Sequence, residues 1–200
     1  MARGLQNTLA VRKPQQRGFT LVELGVVVVI VSILAMLAVV AYRRLVSSSH
    51  TAEATHMIQA IRVAQEAFHA ETQQYANIDK DMTQTYPASA PGRFKTAWGG
   101  ACTNCLPVSQ GGLTNGWLDL PVHIDGPLMF GYATMAGAAG TKPTNQPNVQ
   151  VNGQTVTFPS PSPTDWFIIG ATGDTDGNGV FCHVYGTSWT NDLFVDHDGE

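Results

Sequence analysis

Between Leu24 and Ala41 the chain runs for eighteen consecutive residues without a charge, and twelve of them are Val, Ile or Leu. At roughly −0.4 kcal/mol each, those twelve favour insertion into a bilayer by about 5 kcal/mol. Glu23, which stands just before the run, opposes this by at most ~3 kcal/mol at the bilayer centre and by less near its edge. Insertion wins, and the length suits a single spanning helix. Arg3, Arg12, Lys13 and Arg17 precede the segment with no acid among residues 1–18, so the positive-inside rule predicts a cytoplasmic N-terminus and an external remainder. A cleaved secretory signal would share the basic start and the small residues at Val39 and Ala41, but its apolar stretch would be shorter and Glu23 would have no role.

The second constraint is an absence. From Val26 to Tyr86 there is neither Gly nor Pro, in a chain with 20 Gly and 11 Pro. This predicts one helix from about Phe19 to about Gln74, ~80 Å long at 1.5 Å per residue. Past the apolar run, Ala54, Met57, Ile58, Ile61, Ala64, Gln65 and Phe68 share one helical face, while Glu53, Arg62, Glu66 and Glu71 fall mostly on the other. Such a stripe requires a sheet to lie on.

After Tyr86 the chain turns to short β-rich segments. Residues 128–134, 166–171 and 180–185 read as strands, with 193–195 a short edge, and Asn152-Gly153 marks a hairpin within 149–158. Residues 76–116 lack periodicity and read as a loop region draped over the helix. The fold class is therefore α+β, a long N-terminal spine helix packed on a C-terminal antiparallel sheet. Everything after Gly18 carries seven bases against fifteen acids, which argues against a nucleic-acid partner. The small cluster Arg93-Phe94-Lys95 with Trp98 is too slight to reverse that. No Gly-x-Ser-x-Gly, phosphate-binding loop or triad is present, and the six His are scattered.

Arg17-Gly18-Phe19-Thr20-Leu21-Val22-Glu23-Leu24, running straight into the apolar segment, resembles the processing site of the type IV pilin and pseudopilin superfamily. The resemblance covers residues 12 to about 75. It implies cleavage by a prepilin peptidase between Gly18 and Phe19, methylation of the new Phe19 amine, and an assembly role for Glu23 in docking an incoming mature N-terminus. It divides the chain into a leader (1–18), a transmembrane and assembly half of the spine helix (19–42), an amphipathic half (43–75) and a globular region (76–200). It implies partners: copies of the chain itself in a filament, the peptidase, and inner-membrane pilus or secretion machinery. The chain would sit in the inner membrane before joining a periplasmic or extracellular filament, and would not be an enzyme. Many members of the superfamily have Gly and Pro where this chain has Ser32 and Val40, so the helix here is expected to be more continuous. A type II secretion pseudopilin and a non-polymerising membrane-anchored binding protein are the alternatives.

Cys102-Thr103-Asn104-Cys105 is followed at a distance by Cys182. Loop sequence around the pair argues against a thioredoxin site, and an oxidising exterior favours a disulfide among the three, with the pairing open. No cofactor is required. Asp174-Thr175-Asp176-Gly177-Asn178-Gly179 matches the opening half of a calcium loop, with Asp196 or Asp198 as distant candidates to complete the shell. The alternative is a solvated Asp/Asn/Gly turn.

Overall fold

A computed structural model describes residues 18–79, 81–87, 91–92, 94–99, 116–143, 149–151 and 154–197. The chain forms two compact units, Met1–Tyr42 and Arg43–Glu200. Helix α1 spans Leu21–Thr72 and stays helical through Ser32 and Val40, as the missing Gly and Pro predict. In the first unit the described helix residues are all exposed. Seventeen large apolar side chains between Phe19 and Tyr42 are each at least 52% exposed. Ser32 adds little polarity, because its Oγ donates to the Val28 carbonyl at 2.7 Å.

The second unit is an antiparallel sheet with the later part of α1 against it. Strands β1 (Gly131–Gly137), β4 (Trp166–Gly173), β5 (Cys182–Thr187) and β6 (Leu193–Asp196) form the sheet in the order β1-β4-β5-β6. β2 (Gln150–Val151) and β3 (Gln154–Thr155) make a separate hairpin, and β2 lies beside β6. The hairpin is far shorter than the ten-residue segment predicted for it, and its Asn152-Gly153 turn lies outside the described residues. The first strand begins three residues later than predicted. Leu128 is taken up instead by a bridge to Thr96, and the ladder starts at Gly131.

Ala54, Met57, Ile58, Ile61 and Ala64 of α1 pack on Tyr132, Phe167, Ile169, Ala171, Cys182 and Val184. Alternate residues of the same strands, Met135, Trp166 and Ile168, face the other side beneath Met82, Phe158 and Trp189. β4 is thus covered on both faces, which explains its nearly unbroken apolar sequence. Helix and sheet meet closely at Gly186, where a Cβ would stand 2.6 Å from Ile58 Cγ2. Phe68 is only partly buried at the margin of this core.

Polar side chains of α1 also join it to the rest of the unit, Gln65, Arg62 and Glu53 among them. Gln65, fully buried in the apolar stripe, donates to the Ala76 carbonyl (2.9 Å) and to Thr134 Oγ1 (3.0 Å), and accepts from the Ala76 N–H (2.8 Å). Arg62 and Glu53, assigned by periodicity to the outer face, lean inward instead. Arg62 donates to the carbonyls of Thr187 and Thr190, each at 3.2 Å, and of Asn191 at 3.3 Å. Glu53 accepts from the Met129 N–H (2.8 Å) and pairs with Lys95 Nζ (2.7 Å). Both side chains are long enough to snorkel around the helix shoulder.

The region predicted as a draped loop closes the free edge of β1. Tyr86 exchanges two backbone hydrogen bonds with Tyr132 (2.8 and 2.7 Å). Asp79 donates its N–H to the Thr134 carbonyl and accepts the Thr134 N–H on Oδ2, while Asn77 Oδ1 accepts from the Ala136 N–H. These backbone and side-chain partners stand in for a fifth strand and cover the β1 edge. Trp98, read as part of an exposed basic-aromatic cluster, instead packs among Tyr86, Trp117 and Tyr132. Lys95 of that cluster is engaged by Glu53, and Arg93 lies outside the described residues.

Two predictions follow from this packing. Ile61→Ala should cost about 2–5 kcal/mol, whereas Gly186→Ala should cost about 1–3 kcal/mol by pushing the helix off the sheet. Denaturant titration of the full chain measures both, and a loss below ~0.5 kcal/mol at either site would contradict the packing. The second concerns pH. Burial pushes the Asp79 carboxyl from its ordinary 3.8 up to about 8, against the pull of the Thr134 N–H and of the nearby Trp117 indole, which lies outside strict hydrogen-bond geometry. Because the folded value is raised, this group's contribution is complete below about pH 4 and is lost as the pH rises through about 8. Stability should therefore fall from pH 5 to pH 8, and Asp79→Asn should flatten that slope. An unchanged slope in the variant would place its origin elsewhere.

Candidate assembly surface

The N-terminus of α1 is built by a reciprocal cap. Thr20 is the N-cap: its Oγ1 accepts the Glu23 N–H at 3.2 Å, and its own N–H and Oγ1–H both donate to Glu23 Oε2 at 2.8 Å. This Thr-x-x-Glu capping box satisfies donors that a bare helix start would leave open. The spacing is visible in the sequence, where the position of Glu23 beside the apolar run points first to its assembly role. The cap gives the carboxylate a partner within its own chain, which lowers the cost of an acid at the membrane edge. Both bonds fall on Oε2, and no described residue donates to Oε1.

Immediately before the cap, Phe19 is 89% exposed, and a Cβ at Gly18 would meet nothing within 4 Å. Gly18, Phe19 and Glu23 thus lie together at one open helix end that leads directly into the exposed apolar surface. α1 is long and apolar enough to cross a membrane, and none of its apolar window is buried among the described residues.

The acidic loop after β4 is placed differently. Asp174 Oδ1 accepts the N–H groups of Gly177 (2.7 Å) and Asn178 (3.2 Å), and its Oδ2 accepts that of Gly179 (3.1 Å). Asp176 accepts from the Asn178 N–H and amide, and Asn178 Oδ1 accepts from the Val180 N–H at 2.6 Å. The alternating oxygens are thus turned onto the loop's own backbone. Asp196 lies on β6 opposite His183, with its Oδ2 3.3 Å from His197 Nδ1. Among the described residues no group of three or more His, Cys, Asp or Glu is disposed to hold a metal ion. Asp198 falls outside those residues, as do Cys102 and Cys105, while Cys182 is fully buried in β5 facing α1.

A sequence model of the prokaryotic N-terminal methylation motif matches residues 13–39, the stretch that holds Gly18, Phe19, the cap and most of the apolar surface. A protein of Myxococcus xanthus (strain DK1622) named type IV major pilin protein PilA is 35% identical over 69 residues. That match spans 34% of this chain and 31% of the relative, so the chain matches about a third of that pilin's length. No solved structure matches. The chain is thus similar over about a third of its length to a type IV pilin and carries the N-terminal methylation motif, and the α+β architecture is pilin-like.

Proposed function

We propose that the chain is a structural subunit of a type IV pilus-like filament. It is made as a precursor, cut after Gly18 and methylated on Phe19, then polymerised through α1. The observation that carries this reading is the juxtaposition of an exposed Gly18-Phe19 bond, a capped Glu23 and an unbroken apolar helix surface. Four bases among residues 1–18 support an N-terminus on the cytoplasmic side, where the peptidase and the assembly machinery would act. The work is structural: lipid solvates the apolar surface before assembly, and neighbouring copies cover it afterwards. The likeness to a major pilin favours a pilus over a type II secretion system.

Cleavage would put a positive amine one residue before the cap. Glu23 Oε1 is open to receive an amine from a neighbouring copy while Oε2 keeps the helix start closed. The carboxylate thus has two separable jobs, the local cap and the intersubunit charge pair.

Intact-mass measurement of membrane-extracted protein should give a chain that starts at methylated Phe19. A mature start at Met1 or just after Ala41 would overturn the reading. Filament yield separates the two jobs of Glu23. Glu23→Gln keeps a side chain that can accept from Thr20 but removes the charge, and should abolish incorporation into shed filaments. Thr20→Val removes the hydroxyl part of the cap and should leave incorporation reduced but present. Wild-type incorporation of Glu23→Gln would remove charge pairing from the account.

A further inference from the structure

Where the segment after α1 crosses the end of the sheet, an open pocket of about 340 Å³ is lined by Gln74, Tyr75, Asn77, Ala136, Gly137, Ala138 and Asp165. Its volume is at the low end for small-molecule sites, which run to ~1,000 Å³. None of the described features of assembly uses it.

Its groups are held in place before any ligand arrives. The Tyr75 ring stacks on His69 with centroids 4.3 Å apart, meets Phe167 edge-on at 4.8 Å, and donates its hydroxyl to Glu66 Oε1 at 3.2 Å. Burial, and then the neighbouring Glu66 and Asp165, push that phenol up to about 12, so it keeps its proton. Asp165 Oδ1 accepts the Ala139 N–H at 2.8 Å, and Oδ2 lies 3.5 Å from His69 Nε2. Asn77 Oδ1 is fixed by the Ala136 N–H at 3.0 Å, and no described residue takes its Nδ2 hydrogens. The exposed Gln74 amide adds a second donor and an acceptor.

This set selects a chemistry. Among the described residues no Lys or Arg lines the pocket, so a phosphate or carboxylate would meet the Asp165 carboxylate without a basic residue of the lining to receive it. An alkyl chain would strand the carboxylate and both amides. A neutral polyhydroxylated ring satisfies all of them, because its hydroxyls donate to Asp165 and accept from Asn77 and Gln74, while its C–H groups meet the parts of Tyr75, Ala136 and Ala138 that line the pocket. The fixed rings and carboxylate reduce the ordering cost of binding. We propose that this pocket is a binding site for a single neutral pyranose, the terminal sugar of a glycan. The proposal rests on the globular unit alone and stands or falls separately from filament assembly.

The test is an amide chemical-shift titration of the full ¹⁵N-labelled chain in a zwitterionic detergent without a sugar headgroup. The probes are the methyl glycosides of glucose, galactose, mannose and N-acetylglucosamine, with methyl glucosaminide as the cationic arm. At least one neutral glycoside should give saturable millimolar binding, with shifts at Tyr75, Gly137 and Ala138. Asn77→Asp keeps the acceptor for Ala136 but loses the amide donor, and it should weaken binding at least fivefold. Gln74→Ala, at an exposed position with no fold role, should also weaken it. The proposal is overturned by no saturation at 50 mM, by shifts confined to other residues, by binding of the cationic arm alone, or by affinity unchanged in both variants.

Discussion

α1 carries more apolar surface than the described residues cover. The sheet takes up the stripe from Ala54 to Ala64, while the large apolar side chains from Phe19 to Tyr42 stay more than half exposed among the described residues. In water that surface would drive aggregation, since an exposed patch of this extent exceeds what soluble monomers tolerate. The helix start, the acid at its edge and the basic residues before it are all features that suit a segment solvated first by lipid and then by like segments. The demand is non-directional, so it specifies burial without specifying register. Directionality has to come from charge, and Glu23 is the one acid at that boundary.

In the second unit the problem is reversed: the helix must be held at one angle and height on the sheet. Apolar contacts at Ile58 and Ile61 would tolerate sliding by a turn. Gln65 does not, because both ends of its amide are matched to Ala76 and Thr134 at fully buried positions, and losing that match leaves buried groups unsatisfied. Arg62 then fastens the β5–β6 turn and Glu53 the approach to β1. The same economy recurs at the β1 edge, where Asn77 and Asp79 side chains cap the N–H groups that a further strand would otherwise have paired.

Much of this was legible in the residues. The Gly- and Pro-free window marked the helix, and the stripe from Ala54 to Gln65 is the set of α1 residues found buried. The strands at Trp166, Cys182 and Leu193 were visible as β-rich runs, with ends off by two residues or fewer. What periodicity could not supply was the direction of long polar side chains. Glu53 and Arg62 sit on the helix shoulder, and only the positions of Met129 and of the β5–β6 turn bring them inward. The segment from Asn77 to Tyr86 has no period because its pairing mixes side-chain and backbone partners. The Thr20–Glu23 cap was written in the sequence as Thr-x-x-Glu and was eclipsed by the stronger meaning of an acid beside a membrane segment. The sugar-sized pocket draws on Tyr75, Ala136 and Asp165, three segments whose adjacency no linear pattern reveals.

The central claim is that the surface from Leu24 to Ala41 is a subunit-to-subunit contact as well as a membrane anchor. A cryo-electron reconstruction of filaments shed by cells that make this chain examines that directly. The account predicts a helical polymer of mature chains with the side chains of Val26 to Val40 packed on neighbouring copies along the filament axis. Polymers in which those residues face solvent or detergent, or this chain recovered only as a membrane-bound monomer, would contradict it.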